Sequence, residues 1–421
     1  MNKLLEDLKW RSLLKEIITE EDIDKILLLD KKRFYLGFDP TSDSLHIGHF
    51  LAINLANLIS KNSNLIPIFV LGGFTAQIGD PSGKNNERKL ISQNIISDNS
   101  KSIKEQLKFI CKNLDIKNYE IFDNFDIYKN LNLISFFKNY GKLVNISKML
   151  SRDVVKSRLD IGMSYTEFSY QIFQAIDFLY LFENKDVLIQ IGGSDQLGNI
   201  LTGIEIIKKI KGKNSLVSGI TVPLLVDEKG NKIGKSEGNP LWISKEKMSP
   251  YFMYQYLFNL SDLFAEKLLL QLTSIKKEDF LNLLKIAKKE KSKRHLQKEL
   301  IKRLFISFYG KNDDYNKFKN ISKYLFVEDY LNIDEDFLLS IFKNLETFKY
   351  DFSKDLFTQL RKRNFISSKR EFNQFLKDGA LKINNKIIME SDFKLTKNDF
   401  IKRKFIILSI GKKQKIIVKL N

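Results

Sequence analysis

Residues 35–49 read Tyr-Leu-Gly-Phe-Asp-Pro-Thr-Ser-Asp-Ser-Leu-His-Ile-Gly-His, and the change of character along this stretch decides the fold. An apolar run over 33–38 reads as a buried strand. The polar, turn-prone residues 39–44 follow, and then Leu51, Leu55, Leu58 and Ile59 recur at the spacing of one helical face. His46 and His49, two of only three histidines in the chain, fall in the first turn of that helix. Three residues apart, they point to the same side, with Gly48 beside them. Unpaired first-turn N–H groups and the helix dipole favour an anion there. The corner therefore suits a nucleoside triphosphate, and Gly48 leaves backbone against which a flat base or ribose can lie. A His-x-x-His pair on a helix is more often packed or solvated than functional, so the reading depends on the rest of the chain.

Working outward, residues 1–34 have helical patterning. A second buried strand at 66–71 ends in Gly72-Gly73 and a loop running to Lys84. Helical patterning follows through about residue 120, then a helix near 131–140. A third strand at 187–191 ends in Gly192-Gly193, and 199–211 reads as the helix after it. Short apolar strands alternating with helices, with glycines where strands stop, predict an α/β fold with a mostly parallel sheet covered on both faces. Ligands of such sheets bind beyond the carboxyl ends of the strands. From Met248 to about residue 345 helical patterns dominate, with a dense basic run over 276–303 that includes His295. From about Phe352 two short helices, strands after Ala380 and a terminal hairpin around Gly411 are expected.

Four further clusters carry candidate chemistry. Residues 72–84, from Gly72-Gly73 through Gly79-Asp80-Pro81-Ser82-Gly83-Lys84, with Arg88 beyond, form a glycine-rich loop with two cations, suited to cradling phosphates or simply a surface turn. If 165–177 is helical, Tyr170, Gln174 and Asp177 share one face within Phe, Ile and Leu, where a polar stripe is otherwise usually solvated. Residues 192–199, Gly-Gly-Ser-Asp-Gln-Leu-Gly-Asn, join strand to helix, as any such turn might be composed. Lys232-Ile233-Gly234-Lys235-Ser236 places two cations and a hydroxyl on a glycine-hinged loop able to close over departing phosphates, although lysine-rich loops are common in so basic a chain. Lys247-Met248-Ser249 is a decoy for that motif, because Pro250 follows where a lysine is needed.

Taken in order, these pieces resemble the class I aminoacyl-tRNA synthetases: His46 to His49 resembles their HIGH signature and 232–236 their KMSKS-type loop. Tyr35, Gly37, Asp39, Pro40 and Thr41 resemble the bacterial tyrosyl branch in particular. The resemblance implies a Rossmann-like parallel-sheet α/β catalytic domain over 1–245, an α-helical anticodon-binding domain over 246–350, and a small α+β RNA-binding module over 351–421 similar to one in a ribosomal small-subunit protein. It implies that Tyr35 and Asp177 hold the phenol of L-tyrosine, that Tyr170, Gln174 and Asp80 face its ammonium, and that Gln196 faces its carboxylate and the α-phosphate. ATP would meet Gly37, Asp39, Thr41, His46, Gly48, His49, Gly193, Asp195, Gln196 and Lys235. Charge stabilisation would come from His46, His49, Lys84, Arg88, Lys232, Lys235 and Ser236. Mg²⁺ would accompany ATP without a protein site of its own, tRNA(Tyr) would be the macromolecular substrate, and a homodimer would form around residues 131–165. A tryptophanyl relative and a non-enzymatic RNA-binding scaffold remain as rivals. An indole has one N–H and no hydroxyl, so Tyr35 with Asp177 suits a phenol better. Leu36 and Ala52 stand where relatives often carry cysteine and threonine, Leu197 where tryptophan is frequent, and Asn364-Phe365 replaces a glycine-containing turn.

Composition agrees. A chain of 421 residues has room for two or three domains, and its net charge of +19 suits a polyanionic partner. Much of the lysine excess also fits a genome biased toward A and T. One cysteine, Cys111, excludes an internal disulfide and a cysteine-based zinc site. No apolar run nears the ~18 residues needed to span a bilayer, so a soluble, cytosolic protein is expected.

Overall fold

The computed structural model describes residues 2–82, 88, 90–156, 162–226, 230, 233, 240–310, 346–390, 393–411 and 414–420. The chain divides into two compact units, one of residues 1–247 with 258–310 and one of residues 248–257 with 311–421.

The first unit is built on a six-stranded sheet of β1 (Glu16–Ile18), β2 (Arg33–Phe38), β3 (Ile66–Leu71), β4 (Glu120–Asp123), β5 (Val187–Gly193) and β6 (Ser218–Val222), in the order β1-β6-β5-β2-β3-β4. All neighbours are parallel except β1, which pairs antiparallel with β6. Both faces are covered, so the central strands read as unbroken apolar runs: in β2, Phe34, Tyr35, Leu36 and Phe38 are all buried. The chain leaves β2 toward β3 and β4, then returns to β5 and β6 on the other side. The reversal opens a crevice outside the carboxyl ends of β2 and β5, where residues 39–49 and 192–199 emerge.

Helix Ile47–Asn62 packs on the sheet through Leu51, Leu55, Leu58 and Ile59, the residues whose spacing predicted it. Helices Asp262–Leu272, Lys277–Lys289 and His295–Tyr309 belong to the same unit. Arg11, only 4% exposed, donates to the carbonyls of Thr273 (3.0 Å) and Ile275 (2.7 Å), Asn54 donates to Gln271 O (2.9 Å), and the Phe50 and Phe308 rings meet edge to face at 4.7 Å. His295 lies at a helix start against Glu290 (2.7 Å), within the charged face expected for it.

Three expectations need correcting. Residues 1–34 are not all helical, because β1 separates Lys3–Trp10 from Glu20–Ile26. Helix Gln93–Leu114 stops short of residue 120, where Asp115 takes a left-handed φ of 58°, and β4 follows. The third strand runs on through Gly193. Neither β4 nor β6 was anticipated: strands of four and five residues are too short for alternation to register.

The second unit carries a five-stranded sheet of β7 (Thr347–Lys349), β8 (Leu381–Ile383), β9 (Lys386–Ile387), β10 (Phe405–Ile410) and β11 (Gln414–Lys419), in the order β7-β11-β10-β8-β9. Helices Leu356–Lys362 and Lys369–Lys377, capped by Asp355 and Ser368, share a core with one face of the sheet through Leu356, Leu360, Phe372 and Leu376. The two short helices and the hairpin at Gly411 match the sequence pattern. No helix among the described residues is long and apolar enough to cross a membrane.

Candidate active site

His46 is the N-cap of helix Ile47–Asn62, and His49 is its third residue. Each Nδ1 accepts the other's backbone N–H at 3.3 Å, and the rings stack 3.6 Å apart at 12°. With both Nδ1 atoms accepting, a neutral ring carries its proton on Nε2, a tautomer fixed here by the hydrogen bonds. Burial, and then the charge on His46, hold His49 well below the usual histidine range. His49 is thus an uncharged donor at a helix start, stacked against His46. A Cβ on Gly48 would come 2.9 Å from His46 Cε1, so glycine is what lets the ring fold back. Gln106 braces the approach, accepting from Leu45 N (2.9 Å) and donating to Asp43 O (3.0 Å).

The segment beyond the second lysine loop is anchored at the same corner. Ile47 N donates to Leu241 O (2.9 Å), Ile243 N donates to Leu45 O (2.9 Å), and Trp242 bridges His46. Lys247 pairs with Asp43 (2.6 Å) and lies over the Trp242 ring. The decoy lysine is therefore a latch on this segment.

Across the sheet ends runs a chain of buried polar groups. Helix Tyr165–Lys185 supplies Tyr170, Gln174 and Asp177 on one face, as the spacing predicts. Asp177 Oδ2 accepts from Asn124 Nδ2 (2.9 Å) and Oδ1 from Tyr128 OH (2.6 Å). Asn124 also reaches Thr75 Oγ1 (3.1 Å), Thr75 donates to Asp39 Oδ1 (2.8 Å), and Tyr170 OH donates to Asp39 Oδ2 (2.8 Å). Asp80 accepts from Gln196 Nε2 (2.7 Å) and Ser82 N (2.9 Å), while Asn199 Nδ2 donates to both Gln174 (2.9 Å) and Gln196 (3.0 Å). Tyr35, on β2, is 2% exposed and its hydroxyl has no hydrogen-bond partner among the described residues.

The electrostatics are those of a site short of positive charge. Burial raises Asp177 to about 7, against the pull of the Tyr128 and Asn124 hydrogen bonds. Burial and the Asp80 charge raise Asp39 to about 6, with Thr75, Tyr170 and Arg88 opposing. Burial, followed by the Asp177 charge, pushes the Tyr35 phenol well above its ordinary value. Carboxyls in this state are relieved by a bound ammonium at one end and by a hydroxyl donor at the other.

The expected residues fall into groups. Tyr35, Asp80, Tyr170, Gln174, Asp177 and Gln196 belong to the crevice. Asp39, expected on the nucleotide side, is tied through Tyr170 and Thr75 into the chain that also holds Asp177. A Cβ at Gly37 would meet no described atom within 4 Å, and Thr41 N donates back to Asp39 O (2.7 Å). A Cβ on Gly193 would meet Asp195 Oδ1 at 2.5 Å, so the carboxylate lies over that glycine. Arg88 Nε donates to Asp80 O (2.7 Å), fixing the loop that carries Asp80. Lys84, Lys232, Lys235 and Ser236 lie outside the described residues. Sequence reasoning missed Thr75, Asn124, Tyr128 and Gln106. Thr75 lies within the glycine-rich stretch 72–84 but was given no role there, the other three belong to no motif, and Asn124 and Tyr128 follow β4. Asn199 stood within a quoted motif without a role.

Comparison with known proteins agrees with this geometry. Residues 29–320 match the family model "tRNA synthetases class I (W and Y)" and residues 338–418 match "Tyrosine--tRNA ligase SYY-like C-terminal domain". The chain is 40% identical to a tyrosine–tRNA ligase of Mycoplasmopsis pulmonis over 98% of this chain and 97% of that one, and 37% identical to one of Ureaplasma urealyticum over the whole of both. Among solved structures, a C-terminally truncated mitochondrial tyrosyl-tRNA synthetase of Aspergillus nidulans superposes with a TM-score of 0.68 at 25% identity, covering 77% of this chain and 94% of that one. That of Coccidioides posadasii gives 0.65 at 29% identity, over 76% and 91%. The chain therefore belongs to the class I aminoacyl-tRNA synthetases, as a tyrosine–tRNA ligase.

Proposed function

We propose that the crevice holds L-tyrosine with its phenol between Tyr35 and Asp177 and its ammonium toward Asp80, Tyr170 and Gln174. The observation that carries this assignment is the Tyr35 hydroxyl, buried without a partner beside a carboxyl raised to about 7. Phenylalanine in that place would leave buried polar groups unpaired, which costs about 1–3 kcal/mol for each. Gln196, reaching Asp80 and Asn199, faces the substrate carboxylate and the α-phosphate. ATP lies over the start of helix Ile47–Asn62, against Gly37, Thr41, Gly48, Gly193 and Asp195, with Asp39 at the boundary between nucleotide and amino acid.

The tyrosine carboxylate attacks the α-phosphorus in line and pyrophosphate leaves, giving tyrosyl adenylate; a ribose hydroxyl at the tRNA 3′ end then attacks its carbonyl carbon, forming the ester and releasing AMP. No protein nucleophile is needed. Catalysis comes from holding the reactants together and from charge stabilisation by His46, His49, Lys84, Arg88, Lys232, Lys235 and Ser236. Among the described residues no group of three His, Cys, Asp or Glu is placed to hold a metal; Mg²⁺ would accompany ATP and supply countercharge to its phosphates.

We assign amino-acid activation to residues 1–245, the anticodon end of tRNA(Tyr) to 246–350 and further RNA contacts to 351–421, in a cytoplasmic homodimer. Exposed apolar Leu133 (69%), Ile134 (78%) and Ile146 (67%) support an interface around residues 131–165. The test is amino-acid-dependent exchange of labelled pyrophosphate into ATP. Tyrosine should support it and phenylalanine and tryptophan should not, and exchange with tryptophan, or with none of the three, overturns the pocket assignment.

A further inference from the structure

Strand register in the second unit brings three polar residues into one row. Ser409 on β10 is the Cα partner of Lys382 on β8 and of Lys415 on β11. Paired residues of neighbouring strands leave the same face of a sheet, the strands being about 4.8 Å apart, so two lysine stems flank one hydroxyl. By alternation the row faces away from the helices, since Leu381, Ile383, Leu408, Ile410 and Ile416 belong to the core beneath them. The Ser409 residue is only 6% exposed, and its hydroxyl has no hydrogen-bond partner among the described residues. Among the described residues no carboxylate is ion-paired with either lysine. Burial, then the Lys382 charge, pushes the Lys415 ammonium down to about 8.

A buried orphan hydroxyl costs stability, and two ammonium groups held near each other repel. An oxyanion with several acceptor oxygens removes both penalties together, taking one hydrogen bond from the hydroxyl and charge-assisted bonds from the two lysines. We propose that Lys382, Ser409 and Lys415 form an oxyanion site that takes a single phosphate group on the sheet face of the second unit. The phosphate comes either from an RNA backbone or from free inorganic phosphate. Only the first source rests on the tRNA ligase reading, and it would add a contact on the side of the module opposite its helices.

The test uses the full chain with lysines labelled for NMR at Cε and Nζ, titrated with sodium phosphate against sodium chloride of equal ionic strength. Phosphate should shift the Lys415 signals and move its titration from about 8 back toward the ordinary lysine value; Ser409→Ala should weaken this several-fold, with tyrosine-dependent exchange unchanged. The double variant K382Q/K415Q is then measured for tRNA binding across a salt series. If RNA is the source, its log–log salt slope becomes shallower by roughly 0.7–0.9, as for one lost phosphate contact. A phosphate-induced shift with wild-type tRNA affinity and slope in the variant identifies free phosphate as the ligand. If neither phosphate nor tRNA moves Lys415 and the variant binds tRNA as wild type does, the site does not exist. Absence of tyrosine-dependent exchange in the wild type would instead count against the ligase reading and leave the phosphate shift standing.

Discussion

Replacing Tyr128 by phenylalanine removes one hydroxyl from beside the carboxyl assigned to read the substrate phenol. That hydroxyl lies 2.6 Å from Asp177 Oδ1 and 2.7 Å from the carbonyl of Phe173, and its one proton must serve both. A hydrogen bond to a charged group is worth about 1.5–3 kcal/mol; with the proton shared, we take a loss of about 1.4 kcal/mol, or about one pH unit. The lost donor favoured the ionised carboxylate, so the sign is upward: Asp177 moves from about 7 to roughly 8. At pH 7 the ionised fraction then falls from about a half to about a tenth. If substrate binds by donating its phenol proton to the ionised acid, KM for tyrosine rises ~5-fold at pH 7 and recovers by about pH 9.5, while kcat changes little. Pyrophosphate exchange between pH 6 and 9.5, with tyrosine varied, measures this. The remaining charged and titratable groups acting on Asp177, namely Tyr35, Tyr170, Asp39 and Asp123, are unchanged in the variant. A KM increase as large at pH 9.5 as at pH 6.5 would refute the reasoning, since that is the signature of lost packing alone.

Three further outcomes are expected. Gly72→Ala places a Cβ 2.0 Å from Asp39 Oδ1 and 2.5 Å from Thr75 Oγ1, so tyrosine activation should fall at least ~10-fold with an unchanged circular dichroism spectrum; wild-type exchange would show that Asp39 is dispensable. Cys111 is fully buried and its thiol is pushed up to about 12, so thiol reagents at pH 8 should label it only on unfolding, and rapid labelling of native protein contradicts this. Ile134→Glu should halve the mass seen by sedimentation equilibrium, whereas a mass unchanged from wild type removes this helix from the interface.

The legible parts of the fold were those with long periodicity. Helix Ile47–Asn62 shows four turns of apolar spacing, and β2 and β3 are six-residue runs closed by polar or glycine punctuation. What escaped was short or held from afar. Glu16-Ile17-Ile18 becomes a strand because β6 lies alongside it, and nothing within three residues could announce that. The stripe of Tyr170, Gln174 and Asp177 was readable because a helix repeats its faces. Its partners Thr75, Asn124 and Tyr128 were not: Thr75 opens the one-turn helix after β3, Asn124 and Tyr128 belong to the one-turn helix after β4 and its cap, and each is identified only by whose oxygen it meets. Asp39 shows the same limit: its place in a motif gave it to the nucleotide, and only the hydrogen bonds to Tyr170 and Thr75 tie it toward the amino acid.

The anchoring of Arg11 and Asn54 also sets an order for synthesis. Both side chains are buried, yet their acceptors are the carbonyls of Thr273, Ile275 and Gln271, and Asn113 likewise donates to Ser307 O. A ribosome adding roughly 5–20 residues per second needs upwards of ten seconds after finishing Asn54 to deliver those carbonyls. Until then the Arg11 guanidinium has only the Asp7 carboxylate beside it (2.8 Å), and the Asn54 amide lacks its buried acceptor. The nascent chain is thus held short of its final shape until residues beyond 270 leave the exit tunnel, and a messenger broken near codon 250 would yield a product that cellular proteases can recognise and clear.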